Sequence, residues 1–196
     1  LLTSHRVATP HTYPSLSEEV YEFVTDTMLT MLHSGLWPDP LAQGSRTQGN
    51  PRAIDGIIVL DPTGRVVVAS PNANSMYTRM GMTGYLEKRN LADVTRAMLS
   101  SGEEADETLQ LVLAGRSDLR TELTIARARV TMRASPLLKQ KGAHIERLGA
   151  LILCRDVTEL RRREMELMTK DATIREIHHR VKNNLQTVSA LLRLQS

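Results

Sequence analysis

From Thr158 to Ser196 the chain contains neither glycine nor proline, and Leu160, Leu167, Ile174, Val181 and Val188 recur every seven residues. Ile177, Leu185 and Leu192 fill in beside them. A helix with an apolar heptad stripe covers that stripe only by packing against another helix, so the spacing predicts a coiled-coil or bundle seam. With Ile174 at zero on a wheel turning about 100° per residue, Ile177, Val181, Leu185 and Val188 fall within roughly 60° of it. His178 then lies at about 40°, on the flank of the seam, and His179 at about 140°, on the open side with Lys182, Asn183 and Gln186. The expectation is a semi-buried His178 and a His179 presented to solvent. A neutral imidazole held on a rigid helix outside its core can act as a nucleophile.

The contiguous string His179-Arg180-Val181-Lys182-Asn183-Asn184-Leu185-Gln186 resembles the phosphoacceptor box of a bacterial sensor histidine-kinase subfamily, written H-R-x-K-N-N-L-Q. The resemblance implies that His179 receives the γ-phosphoryl group of ATP and passes it to an aspartate on a response regulator. Such a transfer needs in-line positioning and neutralisation of charge by Mg²⁺ and cationic groups. Helical proximity makes Glu176, three residues earlier, a candidate to orient or deprotonate the imidazole. Arg175, Arg180 and Lys182 can offset phosphoryl charge. Asn183, one turn on, can position the group or a hydrolytic water. Other histidine-kinase families carry an acid immediately after the acceptor; Arg180 stands there in this chain, which leaves the deprotonating group open between Glu176 and an outside base.

Upstream of this helix the order of elements is α+β. Asp55–Leu60 and Arg65–Ser70 are β-branched runs across the turn Asp61-Pro62-Thr63-Gly64, and they predict a hairpin. A short helix begins near Pro71, with Asn72 able to hydrogen-bond locally. Short helical stretches follow from Asn90 to Ser100 and Glu103 to Ala114. Leu119–Ile125 and Ala128–Leu138 alternate like strands, a turn is expected over Lys139–His144, and Leu148–Cys154 is apolar on both faces, as a central strand would be. Two strands, several short helices and three strands resemble a PAS domain. The Asp55-Gly56 opening and the closing Asp156-Val157-Thr158 step support the likeness. Asp156 or Thr158 would cap the outgoing helix while the same turn stays tied to the sheet, so these two residues are the expected signal relay.

Near the N-terminus Leu16, Val20, Phe23, Val24, Thr27, Met28, Met31 and Leu32 recur at helical spacing, after a cap at Ser15 or Ser17 and before Gly35. The expected division is residues 1–48 as linker and the closing helix of an upstream sensor domain, 49–157 as the PAS domain, and 158–196 as the signalling helix and first helix of a truncated dimerisation domain. This lone helix must pack on a preceding domain, on the next one or on a second copy. The chain should be a fragment at both ends. It holds no Gly-rich nucleotide loop, so ATP and Mg²⁺ would be bound by a kinase domain outside it, and the fragment should be inactive alone.

Composition narrows the remaining choices. Hydrophobic residues make up 41% but aromatic ones 3%, so the core must rest on Leu, Val, Ile and Met. A net charge of +3 is too small to argue for nucleic acid. Arg161, Arg162 and Arg163 alternate with Glu159, Glu164 and Glu166, which reads as a solvated helix face. A nucleic-acid-binding reading would also need stacking aromatics. One cysteine, Cys154, excludes an internal disulfide. No run has the length of a membrane span and no signal peptide is visible, so the expected location is cytoplasmic. No metal site is spaced in the sequence. A PAS domain can hold haem, flavin, a small metabolite or nothing. Cys154 in a strand and the absence of histidine between Asn72 and Ala114 favour an empty or metabolite-binding pocket, or a mechanical relay. A lone acceptor helix leaves its seam exposed, so a homodimer is expected. The resemblance is strongest to soluble kinases of the mycobacterial type, which signal to response regulators with an RNA-binding antiterminator output domain. The rival class is a non-catalytic PAS interaction module whose last helix only dimerises.

Overall fold

The computed structural model describes residues 16–38, 50–99 and 106–194, with side chains described as far as residue 182. The linker expected over 1–14, residues 41–49 of the linker expected over Leu41–Asn50, the Ser15 cap and the start of the stretch expected from Glu103 lie outside the described residues. The chain divides into two compact units, Leu1–Asp156 and Val157–Ser196.

The first unit is built on the hairpin read from the sequence. β1 (Ile57–Leu60) and β2 (Val66–Ala69) pair antiparallel. The Asp61 carboxylate closes their turn: its Oδ1 accepts from the Thr63 amide and hydroxyl, both at 2.7 Å, and from the Arg65 amide at 3.0 Å. Partial burial raises the Asp61 pKa, but these hydrogen bonds and the Arg65 charge outweigh that effect and hold the carboxyl below its usual value. After the hairpin come α2 (Pro71–Arg79), α3 (Leu91–Met98) and α4 (Glu107–Leu113). Each starts on a side-chain cap, from Ser70, Asn90 and Asp106 respectively. The cap of α2 is thus Ser70, whose Oγ also accepts from the Ile57 amide at 3.0 Å. Asn72 does not make the local turn bond expected of it; its amide donates to the Ile54 carbonyl at 3.0 Å.

Three long-range strands complete the sheet: β3 (Arg120–Ile125), β4 (Ala128–Lys141) and β5 (His144–Asp156). The order is β2-β1-β5-β4-β3, every neighbouring pair antiparallel. The turn expected over Lys139–His144 is tighter than that, because Lys141 still pairs with His144 and only Gly142 and Ala143 lie between them. Gly142 takes a positive φ of 65° there.

Both faces of the sheet are covered, which explains why β1 and β5 are apolar on both sides. On one face Ile58, Leu60, Val130, Met132, Ala134, Ala150, Ile152 and Cys154 pack with residues of α2, α3 and α4, including Met76, Tyr77, Leu91, Leu109, Val112 and Leu113. On the other face Val59 and Leu137, with Ile57, Leu148 and Leu151, meet Val20, Val24 and Met28 of α1 (Leu16–His33). Each fully buried aliphatic side chain in these layers contributes about 1.5–3 kcal/mol. The amphipathic N-terminal helix therefore packs on the sheet of the domain that follows it. A bulge between Leu137 and Leu138 fixes it further, since the Leu138 amide donates to Met31 Sδ at 3.2 Å.

The second unit is α5, Thr158–Leu194, one helix of 37 residues. Its first hydrogen bond runs from the Arg161 amide to the Val157 carbonyl at 2.8 Å.

Candidate functional site

The candidate site is the middle of α5. Its sequence carries no helix breaker, and its first turns are braced by ion pairs. Arg162 bonds Glu159 at 2.7 Å and Glu166 at 3.0 Å, Arg163 bonds Glu159 at 3.3 Å, and Arg161 bonds Glu164 at 2.8 Å. The hydrogen bond from Arg162 holds the Glu159 carboxyl below its usual range, and Glu159 in turn raises Arg162. Each of these arginines makes an ion pair within its own helix, as their alternation with acids predicted.

Further along, Arg175, Glu176, His178, His179, Arg180 and Lys182 are all exposed. His179 is open to solvent as the wheel required. His178 is exposed too, which corrects the expected half-burial: the flank of a seam is buried only when a partner covers it. The apolar stripe is bare, with Leu167, Ile174, Ile177 and Val181 about half exposed or more. Leu185, Val188 and Leu192, and the Asn183 side chain, lie outside the described side chains, although their backbone is helical.

Glu176 does not stand alone beside the imidazole. Its Oε1 accepts from Arg180 Nη2 at 2.5 Å, one helical turn on. A carboxylate three residues before His179 and four before Arg180 neighbours both, and the geometry gives it to the arginine. The four-residue spacing of Glu176 and Arg180 is the sequence signal for that pair.

The expected relay residues sit where β5 gives way to α5. Asp156 ends β5, pairs in register with Val130, and forms an ion pair with Arg79 of α2 at 3.1 Å. Thr158 opens the helix. Beside Asp156, Arg155 faces Asp55 at 3.9 Å, and these four charged groups line a surface cleft of about 370 Å³ with Asn72, Ser75 and Met76. Arg79 is the residue missing from the sequence reading: nothing in its neighbourhood announces a partner at the far end of the domain.

Cys154 is buried in β5, and burial pushes its thiol up to about 12. At neutral pH it is a small apolar core residue rather than a nucleophile. Among the described residues no three His, Cys, Asp or Glu side chains converge on a metal site, and no helix is long and apolar enough to cross a membrane.

An antiparallel five-stranded sheet with helices inserted after its first hairpin, closing into a long helix, is the architecture of the PAS fold. A model of that family matches residues 52–162, and the chain belongs to it. A histidine kinase family model matches residues 176–196, the stretch that holds the two histidines. Among curated proteins, the sensor histidine kinase PdtaS from two strains of Mycobacterium tuberculosis, CDC 1551 / Oshkosh and H37Rv, is 49% identical over 183 residues. PdtaS of Mycolicibacterium smegmatis is 46% identical over 182 residues. Each alignment takes in 91% of this chain but 36% of the relative, so the chain spans about a third of the length of these relatives. A solved structure, the sensor region of a sensor histidine kinase, aligns with a TM-score of 0.62 at 41% identity, over 77% of this chain and 55% of that one. The resemblance read from the phosphoacceptor string and the PAS order is borne out at the level of family.

Proposed function

We propose that the chain is the sensory and phosphoacceptor portion of a two-component sensor histidine kinase, in which the PAS domain controls ATP-dependent phosphorylation of His179. The observation that carries this reading is an exposed His179 on an unbroken helix, within a stretch matched by the histidine kinase family.

The chemistry follows from the helix. The neutral imidazole attacks the γ-phosphorus of ATP, the P–N bond forms as the bond to the β,γ-bridging oxygen breaks, ADP leaves, and the ring proton passes to a base. ATP and Mg²⁺ are held by a nucleotide-binding domain outside residues 1–196. Arg175, Arg180 and Lys182 supply positive charge around the acceptor, and Asn183, one turn on, positions the phosphoryl group or a water. The phosphoryl group then goes to an aspartate of a response regulator. An RNA-binding antiterminator output domain on that regulator fits the likeness to mycobacterial kinases. The bare apolar stripe calls for a second copy, and a homodimer covers it. Asp156 and Thr158, at the step from strand to helix, relay the state of the sheet.

The test uses the full-length kinase with labelled ATP and Mg²⁺. His179→Ala should abolish acid-labile, base-stable label, whereas His178→Ala should retain it. Loss with His178→Ala alone would shift the acceptor by one residue, and undiminished label in both variants would sink the assignment. A non-catalytic interaction module would take up no label under any stimulus or with any response regulator.

A further inference from the structure

Glu176 lies three residues before His179 and four before Arg180, and which of them takes its carboxylate bears on what happens after His179 is phosphorylated. Side chains on a helix lean toward its N-terminus, over the preceding turn. His179 and Arg180 therefore both lean over the turn that contains Glu176. The carboxylate is taken by Arg180, at 2.5 Å. Both partners are largely exposed, 76% for Arg180 and 62% for Glu176. An exposed pair of this kind is weak and readily exchanged. A phosphoryl group on His179 places two negative charges beside the same guanidinium, and a phosphoryl oxygen is the stronger acceptor for arginine's planar fork.

Resting on the phosphoacceptor reading above, we infer that Glu176 is a positioning residue that parks Arg180 while His179 is bare, and that Arg180 exchanges this carboxylate for the phosphoryl group once His179 is phosphorylated. Arg180 then shields the phosphorus from water. Hydrolysis breaks the P–N bond by attack of water, releasing inorganic phosphate and returning a proton to the imidazole, so a guanidinium held across the phosphoryl oxygens slows it. Glu176 competes with the phosphoryl group for the arginine and sets how long the phosphorylated helix persists. The departure at the position after the histidine, arginine in place of an acid, acquires a purpose in this scheme: the residue is a clamp on the product.

The experiment loads the full-length kinase with labelled ATP and Mg²⁺, removes nucleotide, and follows the decay of phosphohistidine at neutral pH. Four variants are compared with wild type: Glu176→Gln, Arg180→Ala, the two combined, and Arg180→Lys. Loss of one exposed charge-assisted hydrogen bond corresponds to a change of about threefold to tenfold. Arg180→Ala should shorten the lifetime by about that factor, Glu176→Gln should lengthen it, and the double variant should match Arg180→Ala. Arg180→Lys keeps an ion pair with Glu176 on the helix but lacks the planar fork, so its lifetime should fall between those of Arg180→Ala and wild type. A wild-type lifetime in Arg180→Ala would overturn the inference, because the pair would then only brace the helix. So would a Glu176→Gln variant whose labelling rate collapses with an altered pH profile, since Glu176 would then be the base. A wild type that never labels on His179 overturns the phosphoacceptor reading itself, and this inference with it.

Discussion

Tyr77 and Cys154 meet in the core between the sheet and its helices, both fully buried. Tyr77 Oη lies 3.0 Å from Thr95 Oγ1, and the Thr95 hydroxyl already gives its proton to the Leu91 carbonyl at 2.8 Å, so the tyrosine is the donor. Burial raises the pKa of both groups well above their ordinary values, Cys154 from 9.0 to about 12. The sign of the consequence is fixed. Below pH 9 the folded and unfolded thiols both hold their proton and stability is unaffected. Between 9 and about 12 the unfolded chain has released it while the folded chain has not, so stability falls through that window. Urea midpoints of the PAS unit should therefore be level through neutral pH and decline above about 9; replacing Cys154 by Ala should reduce the alkaline slope. In the native protein at neutral pH a thiol reagent should leave Cys154 unmodified until denaturant is added.

At the scale of elements, the sheet depends on one close approach. A Cβ on Gly149 would lie 2.1 Å from the Leu60 carbonyl oxygen, and its φ of 155° is itself unfavourable to other residues. Gly142, in the open β4–β5 turn, has nothing within 4 Å of such a Cβ. Gly149→Ala should cost about 3 kcal/mol or more by forcing β1 from β5, against about 1–2 kcal/mol for Gly142→Ala, which pays only for its conformation. Equilibrium unfolding of the two variants checks the ranking; equal costs would mean that the β1–β5 contact yields easily. Much of this architecture was legible. The β1–β2 hairpin was written in two β-branched runs around an Asp-Pro-Thr-Gly turn, and the long helices in their spacing. The rest needed three dimensions. Lys139, Gln140 and Lys141 read as loop because they are polar, but they pair with Arg147-side residues of β5 down to His144, in an arm that needs no apolar face. The sheet contact of α1 was one of three options for an unpartnered stripe, and the Arg79–Asp156 pair joins positions that no local pattern connects.

For the whole molecule, the issue is what covers α5. Its heptad stripe was plain from the sequence, and the helix shows it bare at Ile174, Ile177 and Val181. The distinction between His178 and His179 was legible as an angle but appears as burial only against a partner. Sedimentation of the chain across a range of concentrations should show self-association, and Ile174→Asp with Val181→Asp should shift it to monomer while leaving the PAS unit folded. Monomer at every concentration in the parent would mean that the stripe is reserved for another helix. The most direct measurement of the account is the position of the phosphoryl group in the full-length kinase after reaction with ATP and Mg²⁺. Cleavage after Arg175 and Arg180 releases Glu176-Ile177-His178-His179-Arg180, which holds both candidate histidines. Fragmentation of that peptide by electron transfer at neutral handling should place the phosphoryl group on His179. A phosphoryl group on another residue of the protein, with this peptide unmodified, would contradict the account.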